Sequence, residues 1–153
     1  LLKSKKMKDK KQQINEYCEW LQNDFNWSFW CTVTTKNKLT YKSAHRLVDR
    51  FVNNLRLVLI HNQMNMDCEP RVFYVVEPFE QKEGVHLHIL LQCSKKLRFA
   101  KLRTLWGQAV GGSLGKSTCH IKAYTQEAHI CHYLAEKVIS QRVEWDFMRI
   151  ALS

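Results

Sequence analysis

Residues 84–91 read GVHLHILL, and this stretch decides the fold that we expect for the rest of the chain. Apolar residues alternate in it with His86 and His88. Because successive side chains of a β-strand point to opposite faces of the sheet, the pattern predicts a half-buried strand with both imidazoles on one face. Two neutral imidazoles held close together on a rigid strand favour divalent metal ions, so they are candidate metal ligands.

A carboxylate that could complete such a site ends the preceding apolar run, residues 72–77, VFYVVE. Pro78 and Gly84 bound a connection of about seven residues between the two runs, which is typical of an antiparallel hairpin. In that hairpin Glu77 lies beside the histidine strand and adds an oxygen ligand to two nitrogen ligands. The alternative interpretation is that His86 and His88 are ordinary histidines on a half-exposed strand.

The composition indicates one compact domain with a polyanionic partner. At 153 residues and 45% hydrophobic content, the chain is long enough for one core and too short for two domains. It has no apolar run of the roughly 18 to 20 residues that a membrane span needs, so we expect a soluble intracellular protein with no membrane partner. The formal net charge of +10 favours nucleic acid as the partner.

Much of this charge lies at the start of the chain, where residues 1–11 contain six lysines. These lysines indicate either a solvated basic tail or an arm that grips DNA. Residues 12–24 have helical spacing. We therefore assign residues 1–24 to a basic N-terminal extension with a short helix, and residues 25–153 to the main domain.

Two other motifs in the sequence do not indicate a functional site. The six cysteines lack a close Cys-x-x-Cys pair and are predicted to be reduced and mostly buried. Two of them lie with three histidines within residues 119–132, but on a predicted strand and helix rather than on turns, which disfavours a zinc site. Residues 111–118, GGSLGKST, end like a phosphate-binding loop, yet Val110 stands in place of its first glycine and no apolar strand precedes it, which excludes an ATP site.

Periodicity predicts the order strand, helix, strand, strand, helix, strand and a further helix. After the short helix, the predicted elements are a strand at 27–35, a helix at 41–60 capped by Thr40 or Ser43, a strand at 71–77, the histidine strand, a helix from 99 to about 110, a strand at 119–124 and a helix from a Thr125 cap to about Ser140. This order is the split β-α-β arrangement of an α+β protein with a ferredoxin-like, or RNA-recognition-motif-like, antiparallel sheet. The two middle strands carry the candidate metal site.

The last predicted helix carries Tyr133 and Lys137 one turn apart, away from its small apolar face. One interpretation is a half-covered tyrosine ring beside a solvated lysine. The other is a nucleophilic phenol that attacks a phosphodiester with help from a nearby cation and a metal. Tyr124 is a rival nucleophile, but it ends a strand and no lysine follows it within one turn, which favours Tyr133.

In their order and spacing, five residues resemble the successive motifs of the HUH endonucleases: Glu77, His86, His88, Tyr133 and Lys137. The resemblance is to the single-tyrosine rolling-circle replication initiators of plasmids, phages and small circular single-stranded DNA viruses. Residues 29–35, FWCTVTT, are similar to the first motif of these proteins, a hydrophobic strand with threonines. The resemblance spans about residues 27 to 140. The family often has Tyr-x-x-Lys, whereas here Glu136 stands at that place and the lysine follows it.

The resemblance implies a fold, a reaction and a metal site, with residues 25–153 as the nuclease domain. The histidine strand is expected to lie centrally in the sheet, with the tyrosine helix packed across it. Tyr133 would attack a phosphate in single-stranded DNA, remain bound to the 5′ phosphate and release a 3′ hydroxyl that primes synthesis, with Lys137 as the nearby cation. His86, His88 and Glu77 would hold Mg²⁺ or Mn²⁺.

The resemblance also implies partners and a location. Four residues are expected to contact DNA: Thr32, Thr34, Lys95 and Lys96. The DNA would be a replication origin, as an open strand or a hairpin, and a helicase acting in cis or in trans is a further expected partner. The protein would act in the cytoplasm of a bacterial host, or in the host nucleus if it is viral.

Two other classes of function fit the same sequence. One is a non-catalytic single-stranded nucleic-acid-binding module of RNA-recognition-motif-like fold, whose sheet presents aromatic rings to bases. The other is a structural metal-binding or partner-docking domain. Only the nuclease requires Glu77, His86, His88 and Tyr133 to meet.

Overall fold

The computed structural model describes residues 9–62, 69–94, 96–111, 117–126, 129–140 and 142–152. Their helices and strands, in chain order, are α1 (Lys10–Asn23), β1 (Phe29–Thr35), α2 (Tyr41–His61), β2 (Arg71–Pro78), β3 (Val85–Gln92), α3 (Phe99–Val110), β4 (Ser117–Ala123), α4 (Ile130–Ile139) and β5 (Glu144–Arg149). Within these ranges, no helix combines the length and the apolar character that crossing a bilayer requires.

The strands form one antiparallel sheet in the order β4-β1-β3-β2-β5. β3, the histidine strand, lies in the centre between β1 and β2. The arrangement of the first four strands with α2 and α3 is compatible with a ferredoxin-like fold. The prediction of an α+β protein with an antiparallel sheet and a central histidine strand is therefore confirmed.

α2 and α3 cover one face of the sheet and enclose the larger hydrophobic core. α2 begins after Thr40, whose hydroxyl accepts a hydrogen bond from the backbone N–H of Ser43, so one of the two predicted caps is confirmed. Phe51 of α2 and Trp106 of α3 stack with ring centroids 3.7 Å apart. Alternate residues of β3, beginning with Val85, point into this core, as a period of two requires.

α1 and α4 pack together on the opposite face and enclose a second cluster. α1 begins after Asp9, whose carboxylate accepts a hydrogen bond from the backbone N–H of Gln12. Leu90 is the residue of β3 that joins this cluster. Because side chains alternate along a strand, His86 and His88 leave the sheet on the same face as Leu90, next to α4.

Two predictions for the last third of the chain need correction. α4 begins at Ile130 with His129 as its N-cap residue, so the prediction of a helix capped by Thr125 is wrong. Thr125 instead follows an extension of the sheet, in which the backbone N–H of Tyr124 donates to the carbonyl of Ser28 at 2.9 Å. No strand was predicted after residue 140, yet β5 pairs with β2. Val143, Trp145 and Phe147 alternate with Glu144 and Asp146 in this segment, so a strand pattern was present in the sequence and was missed.

Candidate active site

The β2–β3 hairpin positions three potential metal ligands. Its register places Glu77 directly opposite His86, and His88 follows two residues later on the same face of β3. Gly84 turns the chain into β3 with a φ of 99°. A Cβ atom there would lie 3.3 Å from the carbonyl oxygen of Leu39, so both the backbone conformation and the close approach favour glycine.

The Glu77 carboxylate lies between the two imidazoles. Its Oε2 atom is 2.8 Å from His88 Nε2 and 3.4 Å from His86 Nε2. The candidate ligand atoms of the three residues all lie within 4.8 Å of one another. The side chains of Glu77, His86 and His88 are only 10%, 16% and 12% exposed. Such a compact, shielded group of two nitrogen donors and one oxygen donor can hold a metal ion.

The surroundings of His88 suit a metal ligand. Thr32 Oγ1 lies 3.4 Å from His88 Nδ1. Without a metal, Nε2 donates to Glu77 at 2.8 Å. When a metal binds Nε2, the proton lies on Nδ1 and can be donated to the threonine hydroxyl, which orients the ring. Imidazole nitrogens and carboxylate oxygens bind several divalent ions, so these ligands indicate a class of metal rather than one element.

His86 is oriented by ring stacking instead. Its Nδ1 atom is buried and has no hydrogen-bond partner among the described residues. The Phe79 ring stacks on the imidazole with centroids 4.6 Å apart and an interplanar angle of 25°. Lys82 Nζ lies 4.2 Å from the centroid of the Phe79 ring. Sequence analysis missed Phe79 because a single aromatic residue in a hairpin loop carries no periodic signal.

α4 brings Tyr133 and Lys137 to the same carboxylate. The Tyr133 hydroxyl donates to Glu77, with Oη 2.8 Å from Oε2 and 3.0 Å from Oε1. Lys137 Nζ lies 3.0 Å from Oε1 and 5.3 Å from the centroid of the Tyr133 ring. Leu134 and Val138 are buried on the other side of the helix, which fixes its rotation. Tyr133 remains 37% exposed, so part of it is open to a substrate.

A tyrosine, a lysine, a carboxylate and two imidazoles thus meet at one place on the sheet. No family model, curated protein or solved structure matches this chain. Support for a function therefore comes from the chemistry of these five side chains.

Burial and neighbouring charges set the protonation of the site. Burial lowers the pKa of both His86 and His88 below the ordinary histidine value, although the Glu77 charge opposes this shift. Burial raises the pKa of Glu77, but the hydrogen bonds from Tyr133 and Lys137 outweigh it, so the pKa of this carboxyl lies below its usual range. Burial and then the hydrogen bond to Glu77 raise the pKa of Tyr133. At neutral pH the site therefore holds two neutral imidazoles, a carboxylate and a protonated phenol.

The rival Tyr124 lies apart from the metal ligands. Its hydroxyl oxygen is 3.3 Å from Cys131 Sγ, near the start of α4. Burial and this contact raise the pKa of Tyr124. Within the described ranges, its hydroxyl contacts neither Glu77 nor an imidazole. Of the two tyrosines, Tyr133 is therefore the one whose hydroxyl lies beside the candidate metal ligands.

The four residues expected to contact DNA lie in different places. Thr32 adjoins the site through His88, and Thr34 follows on the same face of β1, opposite Thr118. Lys96 lies after the end of β3 that is farther from His86, so it is not part of the cluster. Lys95 lies outside the described residues.

Proposed function

We propose that this protein is a metal-dependent single-stranded DNA endonuclease and strand transferase of the HUH type, with Tyr133 as its nucleophile. The observation that carries the proposal is the hydrogen bond from the Tyr133 hydroxyl to the Glu77 carboxylate, which also contacts both imidazoles. Tyr133 lies on α4 and the other three residues on β2 and β3, so local structure does not require them to meet. A module that only binds nucleic acid has no use for this convergence, which disfavours that alternative.

The reaction exchanges one phosphate ester for another. Tyr133 Oη attacks the phosphorus of a DNA phosphodiester and forms a bond to the 5′ phosphate, while the bond from phosphorus to the 3′ oxygen breaks. The phenol stays protonated until the attack because its pKa is raised. Glu77 Oε1, 3.0 Å from Oη, accepts the phenol proton, while Oε2 faces the imidazole nitrogens of the candidate metal site. The departing 3′ oxygen takes up a proton from water and becomes a 3′ hydroxyl.

The metal ligands in this proposal are Glu77, His86 and His88, which fit Mn²⁺ or Mg²⁺ through their carboxylate oxygen and, for Mn²⁺, their imidazole nitrogens. When bound, such an ion stabilises the charge that builds on the phosphoryl oxygens. Lys137 places a second positive charge beside the attacking phenol, where it stabilises the same charge.

The covalent intermediate favours strand transfer over simple hydrolysis. A phosphotyrosine retains the energy of the phosphodiester bond, so a 3′ hydroxyl can attack it and rejoin the strand without an energy source. This chemistry suits rolling-circle replication, in which the partner is single-stranded DNA at an origin, open or in a hairpin, together with a helicase in cis or in trans. The protein would then act in a bacterial cytoplasm or, if viral, in the host nucleus.

A trapped protein–DNA adduct tests the proposal. The protein is incubated with Mn²⁺ and single-stranded oligonucleotides of candidate origins, and covalent adducts are separated on a denaturing gel. We expect an adduct with the wild type and with the matched control Tyr124→Phe, and none with Tyr133→Phe. Tyr133→Phe keeps the ring and nearly all packing but removes the one attacking oxygen, so folding and DNA binding should persist.

Mass spectrometry of the adduct should place the nucleotide on the peptide that contains Tyr133. A nucleotide on Tyr124, or unchanged cleavage by Tyr133→Phe, would contradict the assignment of the nucleophile. If no origin oligonucleotide gives an adduct while salt-dependent binding remains, the non-catalytic binding module is the better description.

A further inference from the structure

One long segment of the sequence contains basic residues but no acidic ones. Residues 84–126 contain no Asp or Glu, and seven Lys and Arg residues: Lys95, Lys96, Arg98, Lys101, Arg103, Lys116 and Lys122. The segment includes α3 and β4, which pack together at one edge of the sheet. Five of these cations lie in the described part of the segment, on or beside α3 and β4, and without neighbouring acids in the sequence they favour a polyanionic ligand there.

A pocket of about 450 Å³ opens at the start of α3 within this segment. Six residues of its lining matter here: Phe29, Leu97, Phe99, Tyr124, Lys96 and Arg98. Phe99 is 39% exposed, although its ring meets that of Phe29 with centroids 5.7 Å apart. An aromatic ring that remains open to solvent beside an apolar floor is a stacking platform for a nucleobase.

The two cations of the pocket are available to an anion. Among the described residues, neither Lys96 nor Arg98 forms an ion pair with a carboxylate. Arg98 is the N-cap residue of α3 and makes no side-chain capping hydrogen bond. The apolar part of the pocket suits the faces of a nucleobase, and the cations at its border suit the anionic phosphate. The pocket therefore matches both parts of a nucleotide.

The pocket also lies within reach of the candidate active site. Thr32 contacts His88, and Phe29, three residues earlier in β1, lines the pocket, which is about 10 Å along a strand. Phe29 belongs to the core under α2 and α3, whereas Tyr124 belongs to the cluster under α1 and α4. The pocket therefore opens beside the start of β1 and the end of β4, between the two faces of the sheet. A few nucleotides can connect it to Tyr133.

We propose that this pocket binds one nucleotide of the single-stranded DNA substrate, with the base against Phe99 and the phosphate at Lys96 and Arg98. The inference rests on the proposed function for the identity of the nucleic acid. By holding a nucleotide at a set distance from Tyr133, the pocket sets the register of the strand and so selects which phosphate is attacked.

Binding measurements on Tyr133→Phe protein without metal test the pocket, because cleavage cannot then interfere. Phe99→Leu removes the aromatic face and keeps an apolar side chain, so the affinity for an origin oligonucleotide should fall about 5- to 100-fold. Trp145→Leu is the matched control, since Trp145 is an exposed aromatic residue of β5 outside the pocket, and it should leave the affinity unchanged. Thermal unfolding verifies that each variant is folded.

The salt dependence separates the phosphate contact from stacking. Arg98→Ala should reduce the slope of log K against log salt concentration by about 0.7, the value for one single-strand phosphate contact. Arg46→Ala removes the same charge from the exposed surface of α2 and should leave the slope unchanged. Phe99→Leu should lower the affinity without changing the slope.

Photocrosslinking probes the pocket without any substitution there. Oligonucleotides with 5-iododeoxyuridine at successive positions should crosslink to the Phe99 peptide from one position only. Crosslinks confined to other peptides, unchanged affinity in Phe99→Leu, or an unchanged slope in Arg98→Ala would overturn the proposal even if Tyr133 forms its adduct.

The identity of the bound nucleic acid is tested with an RNA oligonucleotide of the same sequence. If the protein binds this RNA as tightly as the DNA, and Phe99→Leu weakens both equally, DNA is not the specific occupant of the pocket. Loss of binding in the pocket variants, with no adduct on any origin, would support the pocket and contradict the nuclease.

Discussion

Phe79→Ala is expected to weaken metal binding while the protein stays folded. A metal-binding histidine is usually oriented by a hydrogen bond from its second ring nitrogen, but His86 Nδ1 has no such partner among the described residues. The stacked Phe79 ring, 4.6 Å away, takes over this role by restricting the rotation of the imidazole. An aromatic stack contributes about 0.5–1.5 kcal/mol beyond buried area, so the variant should lose roughly 3- to 10-fold in affinity for Mn²⁺.

Isothermal titration with Mn²⁺ at pH 7.5 measures this effect. Phe79 is only partly buried, so Phe79→Ala should cost about 1 kcal/mol of stability and lower the melting temperature by about 2–4 °C. Phe79→Tyr keeps the stack and should bind Mn²⁺ normally. Phe25→Ala is the matched control, because Phe25 is a partly buried ring that contacts Trp27, with centroids 4.8 Å apart, away from the ligands.

One result would refute the reasoning about His86. If His86→Ala loses Mn²⁺ binding but Phe79→Ala binds it as tightly as the wild type, the imidazole is positioned without the stack. A wild-type protein that binds no Mn²⁺ would instead refute the metal site itself.

Three further predictions concern the same site. Thr32→Val removes the acceptor for His88 Nδ1–H and should weaken Mn²⁺ binding about tenfold in calorimetry, whereas an equal loss in the neighbouring Thr34→Val would argue against a specific contact. Because the pKa values of His86 and His88 are lowered in the fold, the unfolded chain binds more protons below about pH 6.5, so the metal-free protein should lose stability as the pH falls through that value. Urea unfolding at pH 7.5 and 5.5 measures this loss, and it should shrink when both histidines are replaced by alanine. Lys137→Met should slow adduct formation by about 100-fold in a time course, less than Tyr133→Phe, and an unchanged rate would leave Lys137 without a catalytic role.

Local periodicity in the sequence was enough to predict the centre of this protein. The alternation in residues 84–91 places His86 and His88 on one face because strand geometry is repeated every two residues. The length of the hairpin loop sets the register that brings Glu77 opposite His86. The cap at Thr40 was predictable for the same reason, since it depends on residues close together in the chain.

Contacts between distant elements were decided by the tertiary structure. Periodicity and the resemblance of the motifs singled out Tyr133, but its contact with Glu77 depends on where α4 docks, which is set by burial of Leu134 and Val138 in the cluster shared with α1. Likewise residues 143–147 alternate as a strand does, but the pairing of β5 with β2 is a contact between distant parts of the chain that this pattern does not specify. A helical pattern predicts which face of a helix is buried but not where on the sheet that face packs. The position depends on many small contacts between residues that are far apart in the chain.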